Sequence, residues 1–158
     1  MKPKILTIKA AIQVRKPACE VFEAIVDPAK MSNYFISQGS ACMEEGKTVT
    51  WRFPEFDIEV PVRVGKVEKD KYISYIWDGE GDKELLVEIH LEEVSGDSTV
   101  VRITEGDMEN DEAGIRWLVG NTEGWANFLA CLKAYLEYGI NLRKGAFDFM
   151  KENGEQSA

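Results

Sequence analysis

Histidine is nearly missing from this 158-residue chain and cysteine is scarce: there is one His and there are three Cys. The cysteines, Cys19, Cys42 and Cys131, are odd in number and widely spaced, so they form neither a disulfide framework nor a zinc pattern. Reduced thiols and a cytoplasmic setting follow from that usage. No apolar run approaches the ~18 residues needed to cross a bilayer. The opening MKPKILTIKAAIQV alternates apolar and polar residues, whereas a secretory leader needs a continuous apolar centre, so this stretch reads as a strand. Positive charge is also short. Lys and Arg total 19 against 28 Asp and Glu, and the net charge of −9 sets the surface against nucleic-acid phosphates. G-x-S-x-G, a phosphate-binding Walker loop and a dinucleotide fingerprint are all lacking. There is no internal repeat, low-complexity tract or interdomain linker. Residues 1–150 read as a single domain and residues 151–158 as a flexible polar tail.

What is present is apolar patterning of two kinds. Leu6, Ile8, Ala10, Ile12 and Val14 alternate with polar or small residues, as in a half-buried strand. Pro17 suits the first position of a short helix with Val21, Phe22 and Ile25 inward. Asp27-Pro28 caps and opens a second short helix, which carries Met31 with Tyr34 and Phe35 beyond it. From Ser40 to Glu105 the period is two throughout: Val49, Trp51 and Phe53; Ile58, Val60, Val62 and Val64; Ile73, Tyr75 and Trp77; Leu85, Val87, Ile89 and Leu91; Val101 and Ile103. The turns Asp78–Asp82 and Ser95–Asp97 are rich in Gly and Asp. One polar face per strand implies an antiparallel sheet wetted on one side.

An acidic loop is expected at residues 106–112, with Asp111 or Glu112 opening a helical segment through Trp117. Gly114, Gly120 and Gly124 weaken that segment, and the pattern leaves open whether it joins the main helix. In Thr122–Asn141 the period changes to 3.6. Trp125, Phe128, Leu129, Leu132 and Leu136 form one stripe, with Asn127, Lys133 and Glu137 turned to water. Arg143 and Lys144 suit the negative end of this helix's dipole. The fold class is α+β. A curved antiparallel sheet of about six to seven strands wraps on a long C-terminal helix, with two short helices after the first strand.

Six aromatics fall on inward faces: Trp51, Phe53, Tyr75 and Trp77 from the sheet, Trp125 and Phe128 from the helix. One by one they read as core; together they outline an apolar pocket. Tyr34, Tyr75 and the indoles of Trp51 and Trp77 are its candidate polar handles. Arg116, Trp117 and Asn121 lie near the start of the long helix, where Arg116 and Asn121 would meet an acidic or hydroxylated ligand. His90 alternates out of phase with Val87, Ile89 and Leu91, so it belongs to the wetted face beside Glu88 and Glu92 and is assigned no catalytic role. The acidic run 107–112 lacks the glycine and distal glutamate of an EF-hand loop. Cys131 sits about 120° from the centre of the helix stripe and has no base beside it. No metal site and no cofactor is expected.

The strings Val21–Pro28, Met31 with Tyr34-Phe35, Tyr75-Ile76-Trp77, Val87–Glu92 followed by Gly96, Thr99, Val101 and Ile103, and Gly124-Trp125 leading to Phe128-Leu129 and Leu132-Lys133 resemble, in that order, the START-like (SRPBCC, helix-grip) superfamily. The resemblance is nearest to the branch named after the activator of the heat-shock protein 90 ATPase and spans residues 6–141. It implies a cavity between sheet and long helix. Relatives variously bind lipids, steroids, hormones or polyketides, act as cyclases or hydrolases, or regulate a chaperone, and they share no catalytic motif. The namesake's partner-binding role uses a further N-terminal domain that 158 residues do not accommodate. The leading expectation is therefore non-enzymatic binding of an apolar or aromatic small molecule. A protein-interaction module with a filled core and a cyclase or hydrolase are the alternatives. The sequence carries no signal of oligomeric state.

Overall fold

The computed structural model describes residues 4–79 and 83–152. Strand β1 (Ile5–Val14) is followed by helices α1 (Ala18–Val26) and α2 (Pro28–Met31). Strands β2 (Gln38–Gly39), β3 (Thr48–Arg52), β4 (Glu59–Glu68), β5 (Tyr72–Asp78), β6 (Glu84–Ser95) and β7 (Ser98–Glu109) come next, then helix α3 (Glu112–Tyr138) and the short α4 (Asp148–Glu152). All neighbouring strands pair antiparallel in one sheet of order β1-β7-β6-β5-β4-β3-β2. No helix among the described residues is long and apolar enough to cross a membrane.

The period-two reading fixes which face is inward. Leu85, Val87, Ile89 and Leu91 are buried, whereas Leu86 and His90 between them are exposed. Register shifts at Leu6/Ile8, Val64/Val67 and Glu93/Ser95 add local twist, which bends the sheet around α3. Ile58 departs from the expected inward row. It precedes β4 and is 52% exposed, because pairing with β3 begins only at Glu59. The expected acidic loop is also corrected. Residues 106–109 continue β7, and Met108 and Glu109 pair with Leu6 and Ile5 of β1. The turn expected at Asp78–Asp82 lies partly outside the described residues, as does most of the expected tail 151–158.

Pro17 is the N-cap of α1, not its first residue: its ψ of 153° is extended, and its carbonyl accepts from Glu20 and Val21 N–H at 3.1 and 3.2 Å. Proline has no side-chain acceptor to offer, and Glu93 of β6 takes the Ala18 N–H at 3.1 Å instead. Asp27 caps α2 as expected, accepting from Ala29 N–H at 2.9 Å.

Helix α3 is continuous over 27 residues, about 40 Å. Asp111 caps it by accepting from Gly114 N–H at 2.8 Å, and Gly139 ends it at φ +66°. Gly114 is more than a weak helix former. A Cβ there would lie 1.9 Å from the Glu109 carbonyl oxygen, so the chain can pass from β7 into α3 this tightly only with glycine. Gly114→Ala is expected to cost about 1–3 kcal/mol by overpacking, read as a lower urea midpoint at unchanged m-value.

The other end of α3 is pinned to β1. Glu137, expected to face water, is covered: it accepts from Arg15 backbone N–H at 2.7 Å, from Arg15 Nε at 3.4 Å and from Lys133 Nζ. Burial works against its charged form, but the bonds from Lys133 and Arg15 outweigh it and hold the carboxyl below the ordinary range. A depressed folded pKa contributes stability above the unfolded value, and this is lost as pH falls through the folded value. Below about pH 4.5 the wild type should therefore lose stability faster than Glu137→Gln. Urea midpoints measured from pH 6 to pH 3 check this; parallel curves would count against the tether.

Candidate functional site

Helix α3 packs chiefly on β1 and, less closely, on β7. A helix is about 10 Å across and strands are spaced about 4.8 Å, so one helix covers roughly two strands. Toward β5 and β4 the two layers part. A cavity of about 400 Å³ opens there. Val60, Trp77 and Glu105 come from the sheet, and Gly120, Asn121, Gly124, Trp125, Phe128 and Cys131 from α3. Phe35 and the 53–56 segment close one side, and Arg143, Phe147 and Met150 reach back from beyond α3.

Its walls are edge-on and tilted aromatics. Phe35 lies 4.7 Å from Phe128 and 5.2 Å from Phe53, and the Trp77 and Trp125 rings are 5.8 Å apart. Between those two indoles sits Glu105, which is fully buried. Its Oε2 accepts from Trp77 Nε1 at 2.8 Å, and its Oε1 accepts from Trp125 Nε1 at 2.8 Å and Asn121 Nδ2 at 3.2 Å. Three neutral N–H groups from β5 and α3 thus converge on one β7 carboxyl, which has no ion pair among the described residues. A polar group removed from water needs such partners, and here it fixes the separation of helix and sheet.

The ten residues singled out in the sequence divide in two. Phe53, Trp77, Asn121, Trp125 and Phe128 border the cavity. Tyr34, Trp51 and Tyr75 lie in the core behind it. The Tyr34 hydroxyl donates to the Ala24 carbonyl at 2.9 Å, whereas the Tyr75 hydroxyl is buried without a partner among the described residues. Burial pushes both phenols well above their usual pKa, with the Glu105 charge adding to the effect at Tyr75. Trp117 is buried on α3 and does not border the cavity, and its indole N–H has no partner among the described residues. Arg116 is exposed and does not border it either. Positions five apart on a helix differ by about 140°, so Arg116 and Asn121 cannot both face one pocket.

Three bordering residues depart from their expected places. Asn127, expected to face water, is half-buried and lines the cavity, since the covered arc of α3 is wider than its stripe of large apolar residues. Cys131, expected off the helix stripe, is 5% exposed and lines the cavity, because the covered arc of α3 spans both β1 and the cavity side. Burial raises its thiol pKa against the opposing effect of Arg143, which disfavours a nucleophilic thiolate. Arg143 does not serve the helix dipole. Its Nη1 and Nη2 donate to Glu55 at 3.0 and 2.9 Å, and its guanidinium lies 5.1 Å from the Phe147 ring. Glu105 marks only the end of the strand region in the sequence, although the row Val101, Ile103 carried forward two residues reaches it. No group of three or more potential metal ligands clusters among the described residues, and His90 is exposed on β6 with its ring 4.9 Å from Tyr72.

This architecture recurs in solved structures. Protein SSP2350 from Staphylococcus saprophyticus superposes with a TM-score of 0.75 at 37% identity, covering 85% of this chain and 94% of that one. The Aha1 dimer from Colwellia psychrerythraea gives a TM-score of 0.72 at 21% identity over 85% and 98% of the two chains. DynU16, from the dynemicin biosynthetic locus, gives 0.74 at 24% identity over 85% of this chain and 48% of its own. A search of curated proteins finds no match. The family model described as activator of Hsp90 ATPase homolog 1-like protein matches residues 15–137. With its seven-stranded sheet gripping a long C-terminal helix, the chain belongs to that family, a branch of the START-like superfamily.

Proposed function

We propose that this protein is a non-enzymatic carrier or sensor that binds an apolar or aromatic small molecule between α3 and the β4–β5 side of the sheet. The observation that carries the reading is the cavity of about 400 Å³, walled by aromatics, with the buried Glu105 carboxyl held between two of its wall indoles. That volume suits a drug-sized or smaller ligand, and mostly apolar walls with a few polar groups are the usual composition of such sites. Burying about 250 Å² of ligand apolar surface at about 25 cal/mol per Å² supplies about 6 kcal/mol before the costs of association. The binding unit is the single domain of residues 1–150, and the reducing cytoplasm suits its three free cysteines.

The two other readings fit less well. A pure interaction module predicts a filled interior, and the dimer recorded for the Colwellia relative belongs to that protein. A cyclase or hydrolase needs a polar pair free to exchange protons, but of the buried carboxyls Glu105 is engaged by three donors and Glu55 by the Arg143 guanidinium. A screen of neutral apolar and aromatic compounds by thermal shift and tryptophan fluorescence tests the proposal. A binder at a hundredfold excess over its Kd adds about 2.7 kcal/mol, roughly 5–10 °C in Tm. A screen in which no compound moves either signal would remove it.

A further inference from the structure

Building on the binding reading, we infer that the cavity selects ligands that join an aromatic or apolar body to a protonated amine, and that it turns away carboxylates. Among the described residues, four carboxyl groups, Glu55, Asp78, Glu105 and Glu123, border the cavity against one guanidinium, that of Arg143. That guanidinium is spent, since both of its terminal nitrogens are committed to Glu55, whose side chain is 3% exposed. An acidic ligand would therefore find no free cation at the wall among the described residues. It would have to displace a bidentate ion pair and then sit among the remaining carboxylates.

An ammonium group meets the opposite situation. Glu105 accepts only from neutral N–H donors, so no cation among the described residues offsets its charge. Glu105 is itself 0% exposed, so it acts on a ligand through its charge, from behind the Trp77 and Trp125 indoles at the cavity wall. Asp78 and Glu123 add negative potential. Asp78 lies only 3.9 Å from Arg63, which is shared with Glu84 at 3.0 Å. The apolar wall of Phe35, Phe53 and Phe128 then takes the ligand's body. This reverses the sequence-based expectation that Arg116 would greet an acidic ligand at the mouth, because Arg116 does not reach the cavity.

Three isosteric probes separate this inference from the binding reading beneath it: 4-phenylbutylamine, 4-phenylbutanol and 4-phenylbutyrate, titrated calorimetrically at pH 7 and low salt. The neutral alcohol reports on the cavity alone, and the ratio of amine to acid reports on its charge preference. The amine should bind about tenfold or more tightly than the acid, with the alcohol between them and the gap narrowing as salt is added. Glu105→Gln should bring amine and alcohol within about threefold of each other. If that variant does not fold, the combination Asp78→Asn with Glu123→Gln, both on exposed side chains, should narrow the amine-to-acid ratio by about threefold. Equal affinities, a preference for the acid, or a ratio unmoved by these variants would overturn the charge selection while leaving the binding reading intact. Failure of all three probes, the alcohol included, would take both down.

Discussion

Glu105→Ala should unfold about 3 kcal/mol more easily than the wild type, with a Tm about 6–12 °C lower. The substitution leaves the Trp77 and Trp125 indole N–H groups and the Asn121 amide without their acceptor, all between two packed layers. Each orphaned buried donor costs about 1–3 kcal/mol, and water entering from the cavity recovers part of that. Glu105→Gln should cost less, about 1–2 kcal/mol. Its amide oxygen can take the place of Oε1 and keep Trp125 and Asn121, but its NH₂ then meets the Trp77 N–H donor to donor. That conflict predicts a specific non-additivity. Trp77→Phe removes the conflicting donor, so the double variant Glu105→Gln with Trp77→Phe should be more stable than the two single losses imply, by about 1 kcal/mol. Equilibrium denaturation of the four proteins gives the cycle. Strict additivity would mean that Glu105 is not held by the Trp77 indole.

A second expectation concerns binding rather than stability. Gly120 and Gly124 border the cavity on successive turns of α3, and a Cβ built at either meets nothing within 4 Å. Positions four apart share a helix face, so leucines at both would project into the same space. The double variant Gly120→Leu with Gly124→Leu should fill the cavity without disturbing the backbone. It should also gain stability, since glycine is about 1 kcal/mol worse than the best helix formers at each position. The expected outcome is a Tm equal to or above the wild type together with loss of every ligand-induced thermal shift. This pairing is informative because most substitutions that abolish binding also destabilise. Retained binding in the doubly filled protein would place the ligand elsewhere.

How far the sequence reveals this arrangement depends on the range of the physics involved. Strand alternation and the helix stripe are local, so Val87, Ile89 and Leu91, or Phe128, Leu129 and Leu132, declare their faces through spacing alone. The capped break at Asp27-Pro28 is equally local, and the structure has it. The core of the site is not local. Glu105 is separated by 28 residues from Trp77 and by 20 from Trp125 in the chain, and its carboxyl is acceptable inside only because those indoles turn toward it. Read alone, a glutamate at the end of an apolar row marks the end of a strand, and β7 instead runs on to Glu109. Arg143 is a similar case. Its partner Glu55 lies 88 residues earlier, so nothing near it in the sequence distinguishes it from a helix-end cation. Likewise Tyr34 and Tyr75 carry hydroxyls suited to a ligand, but only the packed structure shows one tied to Ala24 and the other sealed in the core.

The most direct test of the cavity uses the protein's four tryptophans, whose indole N–H groups give four resolvable signals in a ¹H–¹⁵N correlation spectrum. Trp77 and Trp125 border the cavity and donate to Glu105, while Trp117 lies buried elsewhere on α3. Titration with 4-phenylbutylamine should shift the Trp77 and Trp125 signals together along one saturating curve and leave Trp117 in place. A shift confined to Trp117, or four signals that stay fixed while the ligand is shown calorimetrically to bind, would contradict a site between helix and sheet.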